Sequence, residues 1–315
     1  MRIALLIFLL PLSACGMLLP EAELKVRVVD ENQSPIQSAE VVAWFPHIYG
    51  AGASPKGDNL PVLTNENGEV ELKGKTAGSV SFGARMTGYY ETSGGKIDFV
   101  AMNNRGEETR AERELVLRKI KTPVPLYARQ FRDIIIPELN APFGFDLEVG
   151  DWVAPHGVGK TADIIFEIKG RYESYREHDL TLEISFPNEG DGLAEFQGVR
   201  NIGSQLRSEH LAPENGYRSS LSLSKKALYD QKSSQWLNES KPGSNYYLRI
   251  RTVLDEDGKV ISANYGKIYG NFEFLNFIKA EAYYFNPTPN DRNIEFDTQQ
   301  NLANPPTARE QVRLP

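Results

Sequence analysis

Few side chains in this sequence have the type and spacing that chemistry requires. Ala154-Pro155-His156-Gly157-Val158-Gly159-Lys160-Thr161 ends in the Gly-Lys-Thr with which a strand–loop–helix turn cradles phosphate on backbone N–H groups. The run that follows, Ala162-Asp163-Ile164-Ile165-Phe166-Glu167-Ile168, is apolar and β-branched and suits a strand, and Ala154 stands where the first glycine belongs. A glycine-rich turn between strands is expected here, with no nucleotide partner. His47, His156, His178 and His210 are scattered, with no pair at helical spacing, so neither a metal nor any other cofactor is expected. Asp255-Glu256-Asp257-Gly258 has half the acidic spacing of a calcium loop but no closing glutamate, and reads as a charged hairpin turn. No Gly-x-Ser-x-Gly elbow is present.

Two broader features could still serve a surface. Asp146, Glu148 and Asp151 precede Trp152, and Asp163 and Glu167 follow it, the densest grouping of carboxylates, Trp and His in the chain. A glycosidase needs two carboxylates facing across a sugar, and linear spacing shows no such convergence. If the second half of the chain carries a binding surface, it is expected at Trp152 and His156, on the glycine-rich turn; the competing reading makes Trp152 a plug at the end of a β core. Tyrosines crowd residues 172–284 and either stack on ligands or occupy half-buried strand positions, which their polar tips suit.

Cys15 is the one cysteine. Arg2, the apolar run Ile3–Leu10 and the small residues before Cys15 are the parts of a secretory signal, and the run is too short to span a bilayer as a helix. Leu12-Ser13-Ala14-Cys15 resembles the lipobox of bacterial lipoproteins. The resemblance implies cleavage before Cys15 and diacylglycerol on its sulfur, and Gly16, where Asp would signal inner-membrane retention, implies the outer membrane. Thus anchored, the thiol is excluded as a nucleophile, and no disulfide can form within the chain. Loss of Arg2 makes the chain one unit more acidic than its formal −7. That balance argues against nucleic acid and against electrostatic docking on anionic lipid, leaving the acyl chains to hold the membrane.

The elements that would position any site read as strands. Leu24, Val26 and Val28 alternate with Lys25 and Arg27, Asp30–Pro35 is a turn cluster, and Ala39–Phe45 is a second strand. A Gly50–Pro61 loop lies beside Trp44, His47 and Tyr49; it reads as a ligand-binding loop on a rigid sandwich or, as favoured here, as a surface insertion with Trp44 in the core. Asn65-Glu66-Asn67-Gly68 signals a hairpin, then Val80, Phe82 and Ala84 alternate before Gly88-Tyr89. Through Val28, Asp30, Pro35, Ile36, Ala39, Val41, Thr64, Asn67, Gly68, Gly88 and Tyr89, residues 23–120 resemble the carboxypeptidase regulatory-like (transthyretin-like) domain. That resemblance implies a small antiparallel β-sandwich that is accessory and carries no peptidase residues.

Beyond the proline-rich junction Lys119–Pro125, Leu180–Phe186 alternates cleanly and Tyr246–Leu254 with Val260–Phe274 forms the strongest hairpin signal. Ser224–Asp230 and Ser233–Ser240 read as short serine-capped helices. The fold expected is all-β and mainly antiparallel: an immunoglobulin- or transthyretin-like sandwich plus a larger β-rich domain with one or two short helices. The organisation expected is a signal (1–14), a lipidated tether (15–22), the sandwich (23–120), a β-rich domain (121–300) and a poorly packed tail (301–315). With no compact catalytic motif, the leading reading is a non-enzymatic, membrane-anchored envelope lipoprotein binding protein or glycan. The alternative is a hydrolase of envelope polymers with its site in residues 125–300.

Overall fold

Period-two alternation becomes strand throughout the computed structural model, which describes residues 19–48, 56–229, 234–304 and 307–315. Cys15 and the apolar run before it lie outside the described residues. The first strands are β1 (Glu21–Val29), β2 (Glu40–Ile48), β3 (Lys56–Leu63), β4 (Glu69–Lys75), β5 (Val80–Arg85), β6 (Tyr89–Tyr90) and β7 (Thr92–Ile97). A six-residue helix, α1 (Phe99–Asn104), then precedes β8 (Arg110–Val116) and β9 (Arg118–Lys119). The Asp98 carboxylate caps α1 by accepting from Ala101 N at 2.9 Å, and buried Phe99 pins it to the core.

β1 lies between β4, antiparallel, and β8, parallel. Facing it, β3, β2, β5 and β7 pair in that order, giving a two-sheet sandwich. Leu24, Val26, Val28, Val41, Ala43, Phe45, Val80 and Phe82 meet between the sheets, each nearly or wholly buried. The Asn-Gly turn forms as its residues predict: Asn65 Oδ1 accepts from Asn67 N and Glu69 N, both at 2.9 Å. Gly68 takes φ +73, and a Cβ there would lie 2.4 Å from Val28 O, so only glycine fits. The predicted Gly50–Pro61 loop is shorter than expected, because residues 56–61 belong to β3 and cover the edge of β2.

A second core lies between two six-stranded sheets. One orders Gly192–Gln197, Ser244–Leu254, Val260–Tyr269, Ala282–Asn286, Val124–Arg129 and Phe296–Asn301. The other orders Asp151–Trp152, Pro142–Asp146, Ile164–Ser174, Glu177–Ser185, Ser220–Tyr229 and Ser234–Asn238. Phe145, Phe166, Ile168, Leu182, Leu248, Ile250, Ile268, Phe272 and Phe285 are buried between them. Burying each such side chain stabilises the fold by about 1.5–3 kcal/mol before entropy is counted.

Two expectations need correction. The helices read over Ser224–Asp230 and Ser233–Ser240 are strands as far as described, Ser220–Tyr229 and Ser234–Asn238. Leu221 and Leu223 stand opposite Ile184 and Leu182, so pairing along a whole neighbouring strand overrides serine capping and helix propensity. The segment 301–315, expected to pack poorly, buries Ala303 and Val312, and its Leu314 carbonyl accepts from the Tyr284 hydroxyl at 3.0 Å.

Candidate functional site

The site begins with the second face of the β3-β2-β5-β7 sheet. Val41, Ala43 and Phe45 point into the core, so Glu40, Val42 and Trp44 point the other way. Cross-strand pairing sets them in rows: Asn59, Trp44 and Ser81 in one, Val42 and Gly83 in the next, Glu40 and Arg85 in the third. Gly83 keeps this floor low, because a Cβ there would lie 2.8 Å from Thr92 O. Gly57 does the same for the indole of Trp44, whose Nε1 would be 2.8 Å from a Cβ at that position. Trp44 is half-buried on the outer face, not in the core where the sequence suggested it.

The opposite wall comes from the second half of the chain. A strap at residues 199–210 crosses to the first sandwich, where Gly203–Ser204 adds to the sheet beside β7. Arg118, nearly buried, holds the strap: its guanidinium donates to the Leu206 and Ser208 carbonyls and pairs with Glu31 at 3.1 Å and Glu209 at 2.9 Å. His210 Nε2 bonds the Lys119 carbonyl at 2.8 Å. Behind the strap, the Tyr269 hydroxyl accepts from Arg207 N and Ser208 N, each at 3.2 Å, and Lys267 Nζ donates to Ser208 Oγ at 3.1 Å. Burial between the Tyr269 and Tyr284 rings pushes the Lys267 ammonium below its ordinary pKa.

The junction itself is fixed by Glu295, which is 1% exposed and accepts from Lys121 N (2.9 Å), Thr122 N (2.8 Å) and the Tyr90 hydroxyl (2.8 Å). Burial and the nearby Glu295 charge push the Tyr90 phenol upward, keeping it a donor. Floor and strap enclose a cleft of about 640 Å³. Its polar groups include Asn59, Ser81, Ser93 and Gln205. Its charges are largely matched: Glu40 meets Arg85 at 2.5 Å, and Glu281 meets Arg207 at 2.9 Å and Arg200 at 3.5 Å.

The residues singled out by sequence lie elsewhere. Trp152 is 5% exposed, donates Nε1–H to the Ile135 carbonyl at 2.9 Å and stands edge-on to Phe145, Phe143 and Phe166. His156 is exposed, its ring edge-on to Phe143 at 4.7 Å. The phosphate-like turn already holds an anion of its own. Asp146 Oδ2 accepts from Lys160 N (2.8 Å) and Thr161 N (3.0 Å), and Oδ1 from Glu148 N and Val149 N. Burial alone would raise the Asp146 pKa, but these four bonds outweigh it and hold the carboxyl below its ordinary range. An internal carboxylate fills the cradle a phosphate would need, and a strand, Ile164–Ser174, follows instead of a helix.

Asp255 Oδ1 caps its own turn through Asp257 N and Lys259 N, with Gly258 at φ +77. Glu31, Glu209 and His210 bring ligand atoms within 4.8 Å of one another, but Arg118 bridges both carboxylates and its fixed charge opposes a metal ion. Most tyrosines of residues 172–284 are core, Tyr246, Tyr247, Tyr265, Tyr269, Tyr283 and Tyr284 among them. The cleft was missed because its walls come from distant segments; the available signal was Trp44 falling out of phase with Val41, Ala43 and Phe45.

Fold and site together define an all-β protein with two sandwich cores and a cleft along their seam. No protein-family model matches the sequence, and no curated protein matches it. Solved structures resemble it distantly. The major pilin subunit BcpA of Bacillus cereus is 12% identical, with a TM-score of 0.25, over 88% of this chain and 100% of the pilin. A candidate carbohydrate-binding protein of Bacteroides uniformis is 11% identical, with a TM-score of 0.21, over 86% of this chain and 99% of that one. The 3-chlorocatechol 1,2-dioxygenase of Rhodococcus opacus is 10% identical, with a TM-score of 0.25; the match covers 32% of this chain and 60% of the dioxygenase.

Proposed function

We propose that this chain is a lipid-anchored, non-enzymatic envelope protein whose cleft holds a segment of glycan. The single observation that carries the binding reading is the cleft floored by Trp44. A sugar ring offers an apolar face ringed by hydroxyls, and a half-buried indole beside Val42 matches the face while Asn59, Ser81, Ser93 and Gln205 meet the rim. The volume suits a few sugar units, and sites of this kind favour the seams between cores. Glu40 and Glu281 are closed on arginines, which supports binding over hydrolysis by an acid–base pair of carboxylates. On this reading residues 1–14 are removed, 15–22 tether the chain, 23–120 are a carboxypeptidase regulatory-like spacer, and the second β domain closes the cleft.

Trp44→Ala should weaken capture on a glycan array at least tenfold and shift the melting temperature little, because the indole lies outside the core. A wild-type protein that captures no glycan, or a variant that captures it equally well, would sink the cleft reading. The anchor has its own test, independent of the cleft. Metabolic labelling with a fatty-acid analogue should mark the wild-type protein, and Cys15→Ser should abolish the label by removing the acceptor thiol. An unlabelled wild type would exclude lipidation.

A further inference from the structure

We infer that the glycan taken by the cleft is acidic, with its carboxylates lying at the end of the groove away from Trp44; this rests on the cleft being the glycan site. A second hollow of about 780 Å³ adjoins the cleft, with Arg200, Glu281 and Leu314 lining both, and we take the two as one groove.

The charge changes along that groove. At the Trp44 end three carboxylates face three guanidinium groups, and most are paired with one another. In the second hollow five cationic side chains face three carboxylates. Arg132, Arg309 and Arg313 lie there exposed, and none forms an ion pair among the described residues. The whole chain is acidic, at −7, so this local excess of positive charge is not a by-product of a basic protein. Arginine presents a planar fork that matches a carboxylate in two parallel hydrogen bonds, whereas a neutral sugar gives it little advantage. Two of the three arginines sit on the C-terminal segment, which is held by buried Val312, packed with Leu126, Ala128 and Tyr284 in a cluster separate from the second core, and by the Tyr284–Leu314 bond. The cations are therefore placed by the fold beside the glycan floor. A polymer whose neutral faces stack at Trp44 and whose carboxylates follow into the second hollow satisfies both ends.

The test compares a galacturonate hexamer with its methyl ester, which keeps the backbone and removes the charge. Calorimetric titration of the full chain at low salt should show the acid binding at least tenfold tighter than the ester, a preference that shrinks as salt is added. Arg309→Ser with Arg313→Ser should abolish the preference, bringing acid binding down to the level of the ester, with the melting temperature unchanged because both side chains are exposed. Trp44→Ala should weaken both ligands. Equal binding of acid and ester would overturn the acidic-glycan inference and leave the cleft reading standing. Acid binding that is indifferent to Trp44→Ala would instead reduce the groove to a charged patch and overturn the continuity on which the inference depends. Binding of neither ligand, with glycan capture on the array intact, would overturn the carboxylated class alone.

Discussion

Arg251→Ala should destabilise the second core by about 3–5 kcal/mol, the cost of leaving a buried charge without its partner. Arg251 takes φ 54 where the strand Ser244–Leu254 loses register between Ile250 and Val253. That conformation is costly for a side-chain-bearing residue and is held here by what the guanidinium reaches. It crosses to the facing sheet and grips Asp163 in a fork, Nε to Oδ1 at 2.7 Å and Nη2 to Oδ2 at 3.1 Å, with Nη1 on Glu148 at 2.9 Å. The Asp163 side chain is wholly buried and gains one further donor, Leu147 N. Burial raises its pKa, and the bonds from Arg251 and Leu147 offset that rise only in part.

The pH dependence has a definite sign. A folded pKa above the unfolded value, about 3.9, means that protonation of Asp163 favours the folded state, and without Arg251 the folded value climbs further. The deficit of Arg251→Ala relative to wild type should therefore be full at neutral pH and narrow as pH falls toward 4. Denaturant unfolding across that range measures it. The double variant Arg251→Met with Asp163→Asn should recover much of the loss, because neither charge is then buried alone. A deficit independent of pH, or a double variant no better than the single, would show that Arg251 acts through packing instead.

The sequence made some of this legible and concealed the rest for physical reasons. Strands whose two faces see different solvents carry their own signature: Leu24, Val26 and Val28 against Lys25 and Arg27, or Leu180, Leu182 and Ile184 against their polar neighbours. Turns set by local chemistry, such as Asn65–Gly68 and Asp255–Gly258, were equally readable. Residues 220–229 were not, because Ser-Lys-Lys-Ala-Leu is locally compatible with helix and becomes strand through pairing with Glu177–Ser185. The cleft was harder still. Trp44 is brought to Arg207 and Glu281 by the strap and by Arg118, and no local pattern reports such a long-range closure. In the acidic cluster around Asp146, the carboxylates of Asp146 and Asp151 are spent on loop N–H groups and that of Asp163 on Arg251, a pairing that linear spacing does not report.

Trp152→Ala should cost about 3–5 kcal/mol, within the range for removing a buried aromatic side chain from a core that cannot fully collapse. Its ring centroid lies 5.4 Å from that of Phe145 and 6.1 Å from those of Phe143 and Phe166, all edge-on, and its Nε1–H is satisfied by Ile135 O. Truncation leaves that carbonyl without its donor and opens a void between the Asp151–Trp152 edge and the sheet, so the loss exceeds simple transfer of the ring to water. His156→Ala should change stability little, since the imidazole is exposed and only its edge contact with Phe143 is lost. The pair of variants separates two roles for this turn. If Trp152 is a plug, calorimetry registers a large fall in melting temperature for Trp152→Ala alone, and glycan capture by His156→Ala stays at the wild-type level. If the turn is a binding surface, both variants lose capture while both melt near wild type. The burial of Trp152 and the occupation of the turn's N–H groups by Asp146 and Asp151 argue for the first outcome; a Trp152→Ala protein as stable as wild type would refute it.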